Sequence, residues 1–159
     1  MINALVPNDF QVPEKLETPD FRIRKLCFID AELDYQAVMS SIAIIKQTRG
    51  GDWPSPKLSF LDDQIDLGWH QREFENKTSF AYTVMSLDEQ ECLGCLYLYP
   101  PGYRNGASKH GDVDVSFWVT QKAYDKGLYS ILYKALNDWL KSTWPFKKIV
   151  YTNKEIPSL

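Results

Sequence analysis

The chain has 159 residues, which suits a single domain large enough to bury a core. Its hydrophobic content of 44% and aromatic content of 14% argue against disorder, and a net charge of −3 without any basic run excludes the electrostatic footprint of a nucleic-acid partner. The apolar runs are too short to span a bilayer, and the N-terminal residues lack the basic and long apolar segments of a signal peptide. We therefore predict a cytoplasmic protein with no nucleic-acid and no membrane partner.

The first residues read as an extended arm followed by one domain. Residues 1–20 hold three prolines among acidic and polar residues, which favours an extended arm over 1–20 and a single domain over 21–159. The segment 21–26 alternates apolar and charged residues, as a strand does. An apolar stripe at helical spacing follows Asp30, a plausible N-cap, and we expect that helix to end by Gly50.

A second helix is expected to begin at Ser59. Asp62 and Asp63 follow this N-cap residue and suit the positive end of a helix. Apolar residues lie on two sides of this helix, so it is either covered by more than the sheet or forms the wall of a pocket. His70 falls among acidic residues on the polar face, which favours a solvated histidine over a catalytic one.

Two strands over 79–85 and 91–99 are predicted to form an antiparallel hairpin. Gly94 inside the second of them indicates a bulge or the close approach of another group. Cys92 and Cys95 have the spacing of a redox or metal motif, but they lie in an apolar strand-like run with no second ligand pair nearby. We predict that these two residues and Cys27 are buried free thiols and that the chain has no metal site.

The stretch 112–141 predicts a strand, a turn and a helix. Residues 112–119 alternate as a half-buried strand does, and apolar residues keep helical spacing after the glycine of the turn, Gly127. A helix that begins after such a turn directs unpaired N–H groups and a positive dipole end at one place, where an anion can bind. Strand–turn–helix units are also common where they bind no ligand. A last strand is expected over 148–152.

The succession of these elements, together with Gly94 and the glycine turn, resembles the GNAT acetyltransferase superfamily. The matching stretches are Glu91-Cys-Leu-Gly-Cys-Leu-Tyr-Leu-Tyr-Pro100, Val115-Ser-Phe-Trp-Val-Thr120 and Tyr124-Asp-Lys-Gly-Leu-Tyr-Ser130. Short segments such as Asp66-Leu-Gly-Trp-His70 and Trp144-Pro-Phe146 resemble those of a bacterial branch of this superfamily with a degenerate acetyl-CoA motif. The resemblance covers about residues 21–153. It implies an α+β fold with a mixed, splayed central sheet flanked by helices and without the usual last helix and strand.

The resemblance also implies acetyl-CoA as cosubstrate. In that superfamily the fourth and fifth strands, which correspond here to 91–99 and 112–119, splay apart, the pantetheine arm inserts between them, and the pyrophosphate rests on N–H groups of the following turn. Carried over to this chain, three residues would face the pantetheine: Phe117, Trp118 and Val119. Five would hold the phosphates: Lys126, Gly127, Leu128, Tyr129 and Ser130.

Two departures from the superfamily pattern concern the turn and the end of the sheet. The superfamily pattern is Gln/Arg-x-x-Gly-x-Gly/Ala. When it is aligned on Gly127, this chain has Tyr124 in place of the basic or amide residue and Tyr129 in place of the small one. A ring at Tyr129 crowds the pyrophosphate unless it turns away. The last strand, 148–152, is expected to be an exposed edge, which invites pairing with a second copy of the chain or cover by the N-terminal arm.

Two residues are candidates for proton handling in acetyl transfer. The reaction requires that the amine lose a proton and that the thioester carbonyl be polarised. Tyr97 and Asp114 lie on the predicted fourth and fifth strands and are our candidate catalytic residues, although a packing tyrosine and a solvated aspartate are the alternatives. We expect an N-acetyltransferase that acts on a primary amine of a small molecule or a protein. The alternative is a catalytically silent binding protein of the same fold.

Overall fold

The computed structural model describes residues 3–159, with positions 107 and 108 described by their backbone alone. It is an α+β structure with one mixed sheet of six strands in the order β1 to β6. All neighbouring strands are antiparallel except β5 and β6, which are parallel. The strands are β1 (Lys15–Glu17), β2 (Arg22–Lys25), β3 (Phe80–Met85), β4 (Cys92–Tyr99), β5 (Val113–Val119) and β6 (Ile149–Tyr151).

Five α-helices flank this sheet. They are α1 (Ala31–Met39), α2 (Ile42–Arg49), α3 (Phe60–Glu75), α4 (Gln121–Asp125) and α5 (Leu128–Thr143). Short 3-10 helices cover Phe28–Asp30 and Gly106–His110. Within residues 3–159, no helix has both the length and the apolar character needed to cross a membrane.

The single helix predicted after Asp30 is in fact two helices, α1 and α2. The interruption falls at Ser40 and Ser41, where the Ser40 hydroxyl donates to the carbonyl of Ala37. Serine side chains that bond to nearby backbone compete with helix continuation, which is a reason for the break here. The predicted N-cap of α3 is confirmed, because the Ser59 hydroxyl accepts the backbone N–H of Asp62 at 3.1 Å.

Two apolar cores cover the two faces of the sheet. One lies under α5, whose buried side chains keep helical spacing, and includes Phe117 and Val119. The other lies under α1 and α3 and includes Trp118 and Tyr97. Because side chains alternate along a strand, the three predicted pantetheine-facing residues do not share one surface.

The strands of the sheet part at a different place from the one implied by the resemblance. β4 and β5 are paired without interruption from Gly94 opposite Val119 to Tyr99 opposite Asp114. The predicted separation of the fourth and fifth strands is therefore wrong. β6 pairs only with Val113–Val115, so the sheet opens between β5 and β6 instead. After β6, residues 152–159 form neither helix nor strand.

The N-terminal segment adds a strand to the sheet at the edge away from β6. β1 pairs with β2, with Lys15 opposite Arg24. Cover of the β6 edge by this segment, one of the two expectations for that edge, is therefore wrong. Pairing of β6 with a second chain stays a prediction.

Gly94 marks a close approach of two strands, as the sequence predicted. A β-carbon at this position would lie 2.1 Å from the carbonyl oxygen of Trp118 and 3.0 Å from Cα of Val119. We expect Gly94→Ala to lower the free energy of unfolding by about 3 kcal/mol or more, because backbone atoms of β5 would have to move. Urea unfolding measures this change. Gly106→Ala is the matched control, since a β-carbon there meets no atom of the described residues within 4 Å. Equal stability of the two variants would contradict the close approach.

Candidate functional site

The opening between β5 and β6 is filled by the side chain of Asn153. The backbone N–H of Phe117 donates to Asn153 Oδ1 at 3.0 Å, and Asn153 Nδ2 donates to the Phe117 carbonyl at 2.9 Å. Asn153 is only 6% exposed. A side-chain amide thus takes the place that a neighbouring strand takes further along β5.

The residues around Asn153 hold the whole segment 152–155 across this opening. The Tyr129 hydroxyl donates to the Glu155 carbonyl and accepts a hydrogen bond from Asn153 Nδ2 at 2.7 Å. The backbone N–H groups of Lys154 and Glu155 donate to carbonyls at the end of α2, those of Arg49 and Thr48 respectively. We call residues 152–155 the closing segment, because they join β5 and α5 to α2.

The ring of Tyr129 lies inside the opening and does not turn away from it. Its centroid is 4.9 Å from that of Phe117, and Tyr129 is buried. The large side chain that the sequence placed where the superfamily has a small one is therefore part of the closure.

Several N–H groups of the turn after β5 already donate to acceptors within the turn. Thr120 caps α4 by accepting the N–H of Ala123, and the N–H groups of Lys126 and Gly127 donate to carbonyls within the turn. Gly127 has a φ of +81° and precedes α5, whose N-terminus receives no side-chain cap. The first N–H groups of α5, from Leu128 to Ser130, are therefore the donors of this turn best suited to a phosphate.

A cavity of about 320 Å³ lies on the other side of β5, between α1, α3 and β4. It contains four carboxyl groups and five aromatic rings, together with Arg49 and His70. We call it the acidic–aromatic pocket. Its acidic members are Asp34, Asp63, Asp66 and Glu73, and its aromatic members are Trp53, Trp69, Tyr97, Tyr99 and Tyr103.

Arg49 connects this pocket with the closing segment. Its Nε donates to the hydroxyl of Ser116, the neighbour of Phe117, at 3.2 Å. Its guanidinium lies 4.4 Å from the ring centroid of Tyr97, and its carbonyl accepts the N–H of Lys154. The pocket therefore adjoins the opening between β5 and β6.

His70 lines the pocket among its carboxyl groups, as the sequence predicted, but it is half-buried and therefore not a fully solvated histidine. Its ring is 5.5 Å from that of Tyr97 and 6.4 Å from that of Tyr99. Its Nδ1 is buried and has no hydrogen-bond partner among the described residues. Burial lowers the pKa of His70, so the imidazole is neutral near pH 7 and able to accept a proton. The sequence signal for this was the apolar character of α3 on two sides.

Of the two predicted catalytic residues, Tyr97 lines the pocket and Asp114 does not. Tyr97 lines the pocket, and its hydroxyl accepts a hydrogen bond from Trp118 Nε1 at 2.9 Å. Burial holds the pKa of Tyr97 well above its ordinary value, so the phenol keeps its proton. Asp114 is fully buried outside the pocket lining, where it accepts the N–H of Arg104 at 2.8 Å and the hydroxyl of Thr152 at 2.7 Å.

Two of the three cysteines are fully buried on the pocket side of the sheet. Cys92 and Cys95 lie beside Asp34, and one ligand atom from each of the three lies within 4.8 Å of the other two. Cys27 is only partly buried, so the expectation of burial holds for two of the three thiols. The three clustered groups are capable of holding a metal ion.

Solved structures of acetyltransferases share this fold. A ribosomal-protein-S5-alanine acetyltransferase from Vibrio fischeri matches with a TM-score of 0.63 at 13% identity, over 86% of this chain and 72% of its own. RimL, a ribosomal L7/L12 alpha-N-protein acetyltransferase solved with coenzyme A, matches with a TM-score of 0.60 at 15% identity, over 79% and 67%.

The microcin C7 self-immunity acetyltransferase MccE, solved with acetyl-CoA and AMP, matches with a TM-score of 0.59 at 13% identity, over 82% of this chain and 69% of its own. No protein-family model and no curated protein sequence matches the chain. At these identities the matches show the fold, which is that of the GNAT acetyltransferases.

Proposed function

We propose that this chain is an N-acetyltransferase that moves an acetyl group from acetyl-CoA to a primary amine of a small molecule or a protein. The main support for the proposal is that the acidic–aromatic pocket lies next to the opening between β5 and β6. A pocket with a neutral histidine whose Nδ1 is buried adjoins an opening in the sheet, where the edge of β5 that faces away from β4 is paired at Phe117 with a side chain.

The β5 backbone fits the pantetheine arm once the closing segment leaves. Asn153 makes one amide donor bond and one amide acceptor bond with Phe117. Pantetheine carries amide groups, which offer the same donor and acceptor. The first N–H groups of α5 then take the pyrophosphate, and Lys126, which is exposed beside them, adds a positive charge. The fit requires Tyr129 to move with the segment, because its ring lies on Phe117.

The acidic–aromatic pocket fits the amine. An ammonium group is attracted both by carboxylates and by the faces of aromatic rings, and the pocket supplies both. His70 takes one proton from the ammonium, and the free amine attacks the thioester carbon as the bond from carbon to sulfur breaks; the second proton of the new amide nitrogen replaces the one that Tyr97 gives up. Tyr97, which holds its proton, gives it to the departing thiolate. Asp114 keeps a part in this proposal as the anchor of Thr152 at the base of the closing segment.

A thermal-shift titration with acetyl-CoA tests the proposal. A ligand that binds only the native state raises its stability, and at a hundred times its dissociation constant the melting temperature is expected to rise by about 5–10 °C. Acetylation of an amine panel, followed by mass spectrometry, then identifies the acceptor. The absence of any shift at millimolar acetyl-CoA would contradict the transferase proposal.

A second candidate function is amine binding without transfer, and the closure itself favours it. Asn153 makes three hydrogen bonds in the opening, and Tyr129 fills the space beside them. If this closure is permanent, amines raise the melting temperature and acetyl-CoA does not. The same titration therefore separates the two functions.

A further inference from the structure

A β-bulge brings the two cysteines of β4 to one face of the sheet. In a regular strand, residues three positions apart point to opposite faces. Here the register with β3 shifts, because Val84 pairs with Gly94 but Met85 pairs with Cys92. Cys92 and Cys95 consequently both lie in the core under α1 and α3. A bulge that redirects a side chain is a feature to be explained, since such irregularities are common next to functional sites.

A carboxyl group from α1 completes a cluster with these thiols. Cys95 Sγ lies 3.4 Å from Asp34 Oδ1, and Asp34, Cys92 and Cys95 are each at most 3% exposed. The three ligand atoms lie within 4.8 Å of one another. A tetrahedral zinc ion with bonds of about 2.0–2.3 Å requires ligand atoms roughly 3.5 Å apart, so no pair of ligand atoms needs to close by more than about 1 Å.

A second carboxyl group, that of Asp63, lies next to the carboxyl group of Asp34. Asp63 on α3 is close enough to Asp34 for the two to share a hydrogen bond, and it is 1% exposed. Its Oδ2 is buried and has no hydrogen-bond partner among the described residues. Within the same part of the chain, no lysine, arginine or histidine forms an ion pair with Asp34 or Asp63. Four acidic groups therefore share one buried volume without a paired cation, and their ionised forms are costly to bury unless a cation joins them.

We propose that Asp34, Cys92 and Cys95 bind a zinc ion, with Asp63 as the hydrogen-bond partner of the Asp34 carboxylate. Two thiolates and a carboxylate form a ligand set that zinc accepts, and a carboxyl group behind a metal ligand commonly orients it. A water from the acidic–aromatic pocket takes the fourth position, because Asp34 and Asp63 both line that pocket. Binding releases the protons of both thiols. The ion joins α1 to β4 beneath the amine pocket, and its binding does not depend on acetyl transfer.

Cobalt titration of the reduced, untagged chain tests this site. Co²⁺ bound to two thiolates is expected to give a sulfur-to-metal charge-transfer band and tetrahedral d–d bands that saturate at one ion per chain and vanish when Zn²⁺ is added. Cys92→Ser and Cys95→Ser are each expected to abolish the charge-transfer band or reduce it to half. The matched control is Cys27→Ser, which removes the third thiol, lies outside the cluster and is expected to leave the bands unchanged.

A second measurement on the wild-type chain keeps the test decisive if the serine variants do not fold. X-ray absorption of the zinc-loaded protein is expected to show two sulfur neighbours at about 2.3 Å. A coordination shell of oxygen and nitrogen alone, a folded wild type without thiolate bands, or bands that depend on Cys27 would each overturn the proposal.

Discussion

Replacement of His70 by glutamine is expected to lower the rate of amine acetylation by about 10²–10⁴-fold, the usual contribution of a general base. Glutamine keeps a polar group of similar size beside Tyr97 but cannot accept the proton. Because burial lowers the pKa of His70, the wild-type rate is expected to fall with decreasing pH only below its ordinary value of 6.5. Steady-state kinetics across pH, with the amine in excess, measures both effects.

The control for this experiment is the other histidine of the chain. His110 is exposed in the loop after β4, so His110→Gln is expected to leave the rate unchanged. A rate for His70→Gln within twofold of the wild type, with the same acid limb in its pH profile, would show that another group takes the proton.

Replacement of Asn153 by alanine is expected to tighten acetyl-CoA binding by about tenfold or more. The substitution removes three hydrogen bonds that hold the closing segment, and each such bond contributes about 1 kcal/mol net. The buried N–H and carbonyl of Phe117 then lack their partner until pantetheine supplies one. We therefore expect lower stability of the free protein together with higher affinity, as measured by urea unfolding and by calorimetry.

Ser158→Ala is the matched control, since Ser158 is exposed and lies beyond the closing segment. It is expected to change neither stability nor affinity. Weaker acetyl-CoA binding by Asn153→Ala than by Ser158→Ala would mean that Asn153 assists the ligand and does not compete with it.

The parts of the fold that depend on local pattern could be predicted from the sequence. Alternation along 112–119 and helical spacing along 128–141 correspond to β5 and α5. The Ser59 cap is likewise a local signal, and Gly94 correctly indicated a close approach. These features depend on neighbouring residues or on the special conformational needs of glycine, which the sequence displays directly.

The site depended on contacts between distant residues, and these could not be predicted. The bonds of Asn153 with Phe117 join positions 36 apart, and the rings that His70 contacts belong to two tyrosines from another element. Cys92 and Cys95 share a face only because of a bulge whose register is set by β3. In each case the side chain was visible in the sequence, but the partner that defines its role comes from a different element.

Amide hydrogen exchange with and without acetyl-CoA tests most directly the claim that the ligand replaces the closing segment. The N–H groups of Lys154 and Glu155 are protected by bonds to carbonyls of α2, so their release should make exchange at these two positions faster when acetyl-CoA binds. Phe117 should remain protected, because pantetheine takes over its bond. Unchanged or slower exchange at Lys154 and Glu155 in the saturated complex would contradict the account.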